Sequence, residues 1–353
     1  MPKSKKPLLF WTARYAYLAE AMLKSGLFTA GRLYRSILKD GTPSLEDKPF
    51  ADGERYYRLG TDVDCRPVVL LGGTVDDRET MELFDIGNLL VDMGASELKV
   101  LIPYYGYSTM ERAVNPGEAV MAKHRARLLS AIPQSRLGNS IYMVDLHAIG
   151  TQHYFEGATH PRHIYAKPLV IAAVRDLLLA RGGISAANLE TADKKAVKAA
   201  LAQPFVFAST DVGRSAWVDS LTRDMVAEGL NASPAFIIKR RTGADSSEVR
   251  DISADVQGAF VIIYDDIVRT AGSLIKAAKS YRAKGAADVA AILTHCVLPG
   301  DSKKILTETQ LFWKVVVTDT HLRATALQDD FLIVKPIAGL LSEQVIKGRL
   351  DLV

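Results

Sequence analysis

Residues 259–278 read AFVIIYDDIVRTAGSLIKAA, and this stretch is the clearest indication of the fold. Its first six residues are almost wholly apolar, which predicts a strand buried on both faces of a sheet. Two acids and a short polar loop follow, and from Ser273 onward apolar residues recur at helical spacing. A buried strand, a polar loop and a helix in this order are the repeating unit of an open parallel sheet.

The same alternation recurs in two halves of the chain. The predicted strands are 66–72, 98–103, 140–146, 204–209, 235–238, 259–264, 289–293 and 314–318. The predicted helices are 76–93, 123–132, 168–180, 215–228 and 273–284. We therefore predict an α/β protein with two domains, each a mainly parallel sheet flanked by helices. A turn-rich stretch at 157–164 divides it into residues 1–163 and 164–353. We expect roughly the last 20 residues to pack back on the first domain.

Length and composition narrow the class of protein. A chain of 353 residues is long enough for two domains that each bury a core. The formal net charge is +4 with acids and bases interspersed, which argues against a nucleic-acid binder because such proteins carry a basic stripe. No apolar run of membrane length occurs, so we expect no membrane contact. The two cysteines, Cys65 and Cys296, lack metal-ligand spacing, which favours a reducing cytoplasm.

Ligands of open parallel sheets lie beyond the carboxyl ends of the strands, and the first polar cluster at such an end is 265–273. Adjacent carboxylates at Asp265 and Asp266 can accept hydrogen bonds from a sugar diol. Thr270, Gly272 and Ser273 fall where backbone N–H groups converge at a helix N-terminus, which favours an anion. The alternative is an ordinary helix cap at Ser273 and a solvated acidic turn.

Three further clusters of polar residues are candidate ligand-binding sites. Residues 50–54, Phe-Ala-Asp-Gly-Glu, combine an aromatic ring with two acids around a turn. His147 ends a predicted strand, where a neutral imidazole can ligate a metal or contact phosphate. Residues 239–241, Lys-Arg-Arg, precede a loop containing Gly and Ser, and such cations can neutralise phosphate charge during transfer. The plain alternatives are a turn, a structural histidine and a solvated basic turn.

Together these segments resemble the ribose-phosphate pyrophosphokinase family. The 265–273 segment is similar to the phosphoribosyl pyrophosphate-binding motif, which phosphoribosyltransferases share, whereas 50–54 is similar to an element that they lack. Residues 144–148, Val-Asp-Leu-His-Ala, and 239–241 also match, and the matches run in family order over nearly the whole chain. The resemblance implies two phosphoribosyltransferase-like domains, with ATP bound by the first and ribose phosphate by the second. It also implies an enzyme that transfers the β,γ-diphosphate of ATP to the C1 hydroxyl of ribose 5-phosphate.

The resemblance carries residue roles with it. The implied ribose-phosphate contacts are Asp265, Asp266, Arg269, Thr270, Ala271, Gly272, Ser273 and, from a weaker match, Asp211. Phe50, Asp52 and Glu54 are implied at the ATP nucleotide. His147 is implied beside Mg²⁺ and the ATP phosphates, with Lys239 and Arg241 stabilising the transition state. A homo-oligomer, a dimer or hexamer, is implied as well.

The sequence departs from the family pattern at three places. After residues 103–107 the family has Ala-Arg-Gln-Asp-Arg, whereas this chain has Ser-Thr-Met-Glu-Arg, so Glu111 and Arg112 become the candidates for ATP contacts. The third acid of the ribose-phosphate motif is Arg269 here. The nearest alignment also puts Arg162 in place of a family acid near the acceptor.

These departures leave alternatives open. A guanidinium reverses the local charge and offers a planar fork that suits phosphate. ADP-ribose, which extends the 5-phosphate into a diphosphate, is therefore a second candidate acceptor and would yield ADP-ribose 1-pyrophosphate. A non-catalytic regulatory homologue of a synthetase is the alternative from another class, and a phosphoribosyltransferase is the enzymatic rival that residues 50–54 and 239–241 disfavour.

Overall fold

The computed structural model describes residues 6–185, 188–241 and 247–347, with the side chains of 239–241 and 247–250 outside that description. The chain forms two compact units. One comprises the residues up to Tyr165 together with those from Ile337 onward, and the other comprises Ala166–Pro336. Within the described residues, no helix is long and apolar enough to cross a membrane.

The first unit contains a six-stranded parallel sheet and two short antiparallel strand pairs. In chain order its strands are β1 (Leu8–Trp11), β2 (Thr29–Ala30), β3 (Leu33–Tyr34), β4 (Ser36–Ile37), β5 (Pro43–Ser44), β6 (Arg58–Leu59), β7 (Pro67–Leu71), β8 (Glu97–Ile102), β9 (Asn139–Val144) and β10 (Thr159–Ile164). Its first helices are α1 (Ala16–Leu23), α2 (Asp77–Asp92) and α3 (Met121–Ser130). The parallel sheet has the spatial order β10-β9-β8-β7-β1-β2, and β3-β6 and β4-β5 are the antiparallel pairs.

The second unit repeats this architecture. Its strands are β11 (Phe205–Ser209), β12 (Ala232–Ala235), β13 (Ile237–Arg241), β14 (Ser247–Ile252), β15 (Phe260–Val268), β16 (Asp288–Cys296), β17 (Val315–Thr318) and β18 (Leu332–Lys335). Its helices are α4 (Lys167–Arg181), α5 (Lys194–Leu201), α6 (Ser215–Ala227), α7 (Gly272–Ala283), α8 (Ser302–Glu308) and α9 (Arg323–Leu327). The parallel order is β12-β11-β15-β16-β17-β18, and β13-β14 is a separate antiparallel pair. The last helix, α10 (Ala338–Lys347), belongs to the first unit and packs on α1.

Strand β15 shows why these sequences form sheets covered on both faces. Side chains alternate along a strand, so Val261 and Ile263 enter one hydrophobic cluster while Phe260, Ile262 and Tyr264 enter another on the opposite face. All five are buried. The predicted α/β class, with two mainly parallel sheets, is confirmed.

The structure differs from the predicted elements at several places. Strand β15 continues through Asp265 and Asp266 to Val268, which pairs with Cys296 of β16, so the two acids lie in a strand where a loop was predicted. The single strand predicted at 235–238 is wrong, because β12 ends at Ala235 and β13 starts a different sheet at Ile237. Strand β10, with the sequence THPRHI, was not predicted, because an edge strand needs no continuous apolar run.

Candidate active site

In the second unit the Asp265-Asp266 pair lies near the carboxyl end of the central strand β15. One carboxylate oxygen of Asp265, Oδ2, accepts a hydrogen bond from the Thr210 hydroxyl at 2.8 Å. Its other oxygen, Oδ1, accepts one from the backbone N–H of Asp266 at 3.0 Å. Asp266 itself is only 1% exposed, so the pair is largely withdrawn from water.

A guanidinium lies against both carboxylates. Arg214 Nη2 is 2.5 Å from Asp266 Oδ1, and its Nε is 3.7 Å from Asp265 Oδ1. Arg214 ends a short 3-10 turn, Val212–Arg214, which Asp211 caps by accepting a hydrogen bond from Gly213 N–H at 3.0 Å. Because β11 and β15 are neighbouring parallel strands, their carboxyl ends meet, and the turn after β11 reaches the acids of β15. Sequence reasoning missed Arg214, since a single arginine after a strand carries no motif.

Burial and the charges of neighbouring groups both shift the pKa values of Asp265 and Arg214. Burial raises the pKa of Asp265 above its ordinary value, and the neighbouring charge of Asp266 acts in the same direction, against the Thr210 hydrogen bond and Arg214. Burial alone would lower the pKa of Arg214, but the charges of Asp266 and Asp265 outweigh it and raise that pKa. The site therefore holds a carboxyl group, Asp265, that keeps its proton to higher pH than an exposed aspartate does.

The loop that follows presents the N-terminus of α7. Arg269, Thr270, Gly272 and Ser273 are exposed, whereas Ala271 is buried in the left-handed region at φ +63°. Ser273 lies inside the helix, and among the described residues no side chain caps its first turn. The plain alternative of a Ser273 cap is therefore wrong. A twelve-residue helix whose first backbone N–H groups lack a side-chain cap is suited to bind an anion.

In the first unit residues 50–54 form a tight turn. Phe50 N–H donates to the Glu54 carbonyl at 2.9 Å, and Gly53 N–H donates to the Phe50 carbonyl at 3.0 Å. Asp52 Oδ1 accepts from Glu54 N–H at 3.0 Å. The Phe50 ring is 45% exposed, and Asp52 and Glu54 are exposed as well. The turn thus directs a ring and two carboxylates into solvent.

The N-terminal turn of α2 anchors both segments that were predicted to contact ATP. Arg78 donates to Asp47, just before the 50–54 turn, at 2.8 Å. Asp77 accepts from the Tyr107 hydroxyl at 2.8 Å and pairs with Arg125, whose guanidinium lies 4.6 Å from the centre of the Tyr107 ring. Two adjacent residues of one helix therefore tie the 50–54 turn and the 103–112 loop to the same helix end.

Within the 103–112 loop a close backbone approach requires glycine. A Cβ at Gly106 would lie 1.8 Å from the carbonyl oxygen of Thr74. Further along, Glu111 and Arg112 face each other at 3.7 Å, and the Glu111 carbonyl accepts a hydrogen bond from the Tyr154 hydroxyl at 2.6 Å. The Arg112 side chain is 73% exposed against 17% for Glu111. Of these two candidates, Arg112 is the one open to a solvent-borne ligand.

His147 lies half-buried between β9 and the 3-10 turn Ile149–Tyr154. The peptide before it is oriented by His163, whose Nε2 accepts a hydrogen bond from Leu146 N–H at 3.0 Å and therefore carries no proton. Across the described parts of the chain, no group of three His, Cys, Asp or Glu side chains is arranged to hold a metal ion.

The remaining candidates are placed only in part. Lys239 and Arg241 belong to β13 by their backbone, but their side chains lie outside the described residues, as does the loop at 242–246. Arg162 lies in the edge strand β10, beside Tyr142 of β9. The roles predicted for these residues stay predictions.

Two parallel sheets, with an acid pair and an uncapped helix N-terminus at the end of a central strand, define a phosphoribosyltransferase-like α/β protein. Two family profiles match: residues 38–132 match the N-terminal domain of ribose phosphate pyrophosphokinase, and residues 231–347 match the phosphoribosyl synthetase-associated domain.

Relatives and a solved structure agree with these profiles. A protein of Caldanaerobacter subterraneus named ribose-phosphate pyrophosphokinase is 30% identical over 301 residues, 84% of each chain. A protein of the same name from Synechococcus elongatus is 29% identical over 84% of this chain and 81% of its own. The crystal structure of phosphoribosylpyrophosphate synthetase from Mycobacterium smegmatis aligns with 98% of this chain and 100% of its own at a TM-score of 0.77 and 22% identity, which shows the shared fold. The chain belongs to the ribose-phosphate pyrophosphokinase family, a family of transferases.

Proposed function

We propose that this protein transfers the β,γ-diphosphate of ATP to the C1 hydroxyl of ribose 5-phosphate, giving phosphoribosyl pyrophosphate and AMP. The observation that carries the proposal is the order of groups after Tyr264. The acid pair at Asp265 and Asp266 is suited to ribose hydroxyls, and the exposed, uncapped start of α7 a few residues later is suited to the 5-phosphate. Family membership supports the same reaction.

In the proposed mechanism the C1 oxygen attacks the β-phosphorus of ATP. The bond between that phosphorus and the bridging oxygen to the α-phosphate breaks, the oxygen leaves with AMP, and the C1 hydroxyl loses its proton. No covalent intermediate with the enzyme forms. The rate enhancement comes from alignment and from neutralising charge on the transferred diphosphate.

Each part of the chain has a proposed role in this reaction. Asp265 and Asp266 orient the ribose, and residues 269–273 hold the 5-phosphate. Phe50, Asp52 and Glu54 contact the nucleotide of ATP, with Arg112 open to its phosphates and Glu111 beside it. Lys239 and Arg241 stabilise the transition state, and Asp211 keeps the turn before Arg214 in place.

Mg²⁺ is proposed to enter bound to ATP. When bound, it supplies charge neutralisation on the phosphates. His147, which follows β9 in the first unit, is the proposed protein residue that would lie beside it.

The test is a direct assay of the purified full chain with Mg²⁺ and ATP, in which AMP release is measured with ribose 5-phosphate, with ADP-ribose and with neither. We expect AMP release that depends on ribose 5-phosphate. If neither acceptor produces AMP, the kinase proposal is wrong and the non-catalytic homologue is favoured. By resemblance we also propose that the protein is cytoplasmic and forms a homo-oligomer, a dimer or hexamer. Sedimentation of the same sample measures the oligomeric state.

ADP-ribose is the second candidate acceptor, and one observation favours it. Arg269, which stands where the family motif has an acid, is exposed on the loop at the start of α7. A cation there suits a diphosphate better than an acid does. In the Arg269→Asp variant we expect kcat/KM for ADP-ribose to fall relative to that for ribose 5-phosphate. An unchanged ratio of the two would refute this charge argument.

A further inference from the structure

A cationic side chain, that of Arg214, lies against the acid pair of the proposed acceptor site. Arg214 contacts Asp266 at 2.5 Å and lies 3.7 Å from Asp265. The guanidinium side chain is 18% exposed, so the contact is mostly shielded from water. This residue comes from a different strand end, after β11, and belongs to none of the motifs that identify the site.

Two adjacent carboxylates at the end of a buried strand repel each other. Like charge and burial both favour the protonated form of one of them, whereas a guanidinium beside them favours the ionised form. A protonated carboxyl has one fewer site for accepting hydrogen bonds from a diol, because one oxygen carries the proton. The pair therefore accepts more hydrogen bonds from a sugar diol when a cation compensates its charge.

The surroundings make Arg214 the compensating group. Within the pair, the charge of Asp266 acts on Asp265. From the turn after β11, Thr210 donates a hydrogen bond to Asp265 and Arg214 supplies positive charge, while Tyr264 of β15 acts electrostatically on Arg214. Thr210 holds one oxygen of Asp265 at 2.8 Å, but it is neutral. The fork of a guanidinium also fixes the direction of two oxygen atoms at once, which a point charge does not.

We propose that Arg214 is a positioning residue of the acceptor site, which shifts Asp265 and Asp266 toward the ionised form and aims them at the ribose hydroxyls of the acceptor. The inference rests on the proposed function. If Arg214 has this role, its loss impairs use of the acceptor and leaves binding of ATP unchanged. An ion pair that only stabilised the fold would not affect the two substrates differently.

The test compares Arg214→Ala and Arg214→Lys with the unchanged chain. In Arg214→Ala at neutral pH we expect kcat/KM for the acceptor to fall about tenfold or more, because losing an opposite charge raises a carboxyl pKa by about 1–3 units. The midpoint of its rise with pH should move upward by about one unit or more. We expect KM for ATP to stay within about twofold, and Arg214→Lys to recover part of the loss. Arg175→Ala, which removes the Arg175–Glu228 ion pair elsewhere in the same unit, is the matched control.

A second readout needs no substrate. Infrared difference spectra between low and high pH should contain a protonated-carboxyl band that is lost as the pH rises in the unchanged chain. The part of this band that Asp265→Asn removes belongs to Asp265, and the part that remains belongs to other buried carboxyls such as Glu79. In Arg214→Lys, the variant that retains a charge and is the safer one for folding, the signal should persist to higher pH because a lysine lacks the fork. An unshifted infrared midpoint in Arg214→Lys and Arg214→Ala, or an unchanged kcat/KM for the acceptor in a folded Arg214→Ala, would overturn this inference. Neither result would contradict the proposed function. That function is refuted instead if the unchanged chain releases no AMP from ATP with either acceptor.

Discussion

Glu79 makes the stability of the first unit depend on pH in a direction opposite to that of most carboxylates. The residue lies in the first turn of α2, and its side chain is 1% exposed. Glu79 Oε1 accepts hydrogen bonds from the Thr12 hydroxyl and from Gly73 N–H, both at 3.1 Å, and Oε2 is 3.9 Å from Arg14. Burial nevertheless raises the pKa of Glu79 from 4.5 to about 7.

The sign follows from proton binding. Between pH 4.5 and about 7 the folded protein holds a proton on Glu79 that the unfolded chain has lost, so the free energy of unfolding falls as the pH rises through this window. The stabilisation that this proton provides is fully lost above the pKa of Glu79 in the folded protein. A rise from 4.5 to about 7 corresponds to about 3 kcal/mol. Glu79→Gln has the same shape without the charge, so it should be more stable than the parent by up to about 3 kcal/mol at about pH 8 and should show no gain near pH 4.5.

Urea unfolding at a series of pH values measures this difference. Trp11 is the one tryptophan of the first unit among the three in the chain, so its fluorescence reports on that unit alone in a Trp217→Phe, Trp313→Phe background. Glu20→Gln, the same change at an exposed position of α1, is the control and should leave the pH dependence unaltered. If the difference between Glu79→Gln and its parent stays constant from pH 4.5 to about 8, Glu79 is not held protonated and the reasoning is refuted.

Three further predictions test individual groups. Phe50→Ala removes a ring that is 45% exposed, so we expect KM for ATP to rise about fivefold with no change in melting temperature; an unchanged KM would remove Phe50 from the ATP site. Ala271→Val puts a β-branched residue at φ +63°, and urea titration should show a loss of about 1–3 kcal/mol together with weaker acceptor binding. Tyr281→Phe deletes the buried hydroxyl that donates to the Ser209 carbonyl at 2.9 Å, and the free energy of unfolding should fall by about 1 kcal/mol. Equal stability of this last variant and the parent would mean that water replaces the lost hydrogen bond.

Much of the fold follows from local sequence because most core strands are buried on both faces. Segments such as β7, β11 and β17 are short apolar runs, and their sequence predicts them without knowledge of their neighbours. Helix α2 begins as predicted, since Asp76 caps it by accepting a hydrogen bond from Glu79 N–H at 2.9 Å. The edge strand β10 was not predicted, because pairing with β9 stabilises it more than its own composition does.

The sequence by itself determined the class of site, because the acid pair, the polar loop and the start of α7 are consecutive along the chain. Their relation is local and needs only a strand and a helix in order. Tertiary structure alone decided that Arg214 lies on Asp265 and Asp266, because that contact exists only when β11 and β15 are neighbours in the sheet. It also decided the protonation of Asp265 and Glu79, since burial, a property of the folded chain, is the largest influence on both pKa values.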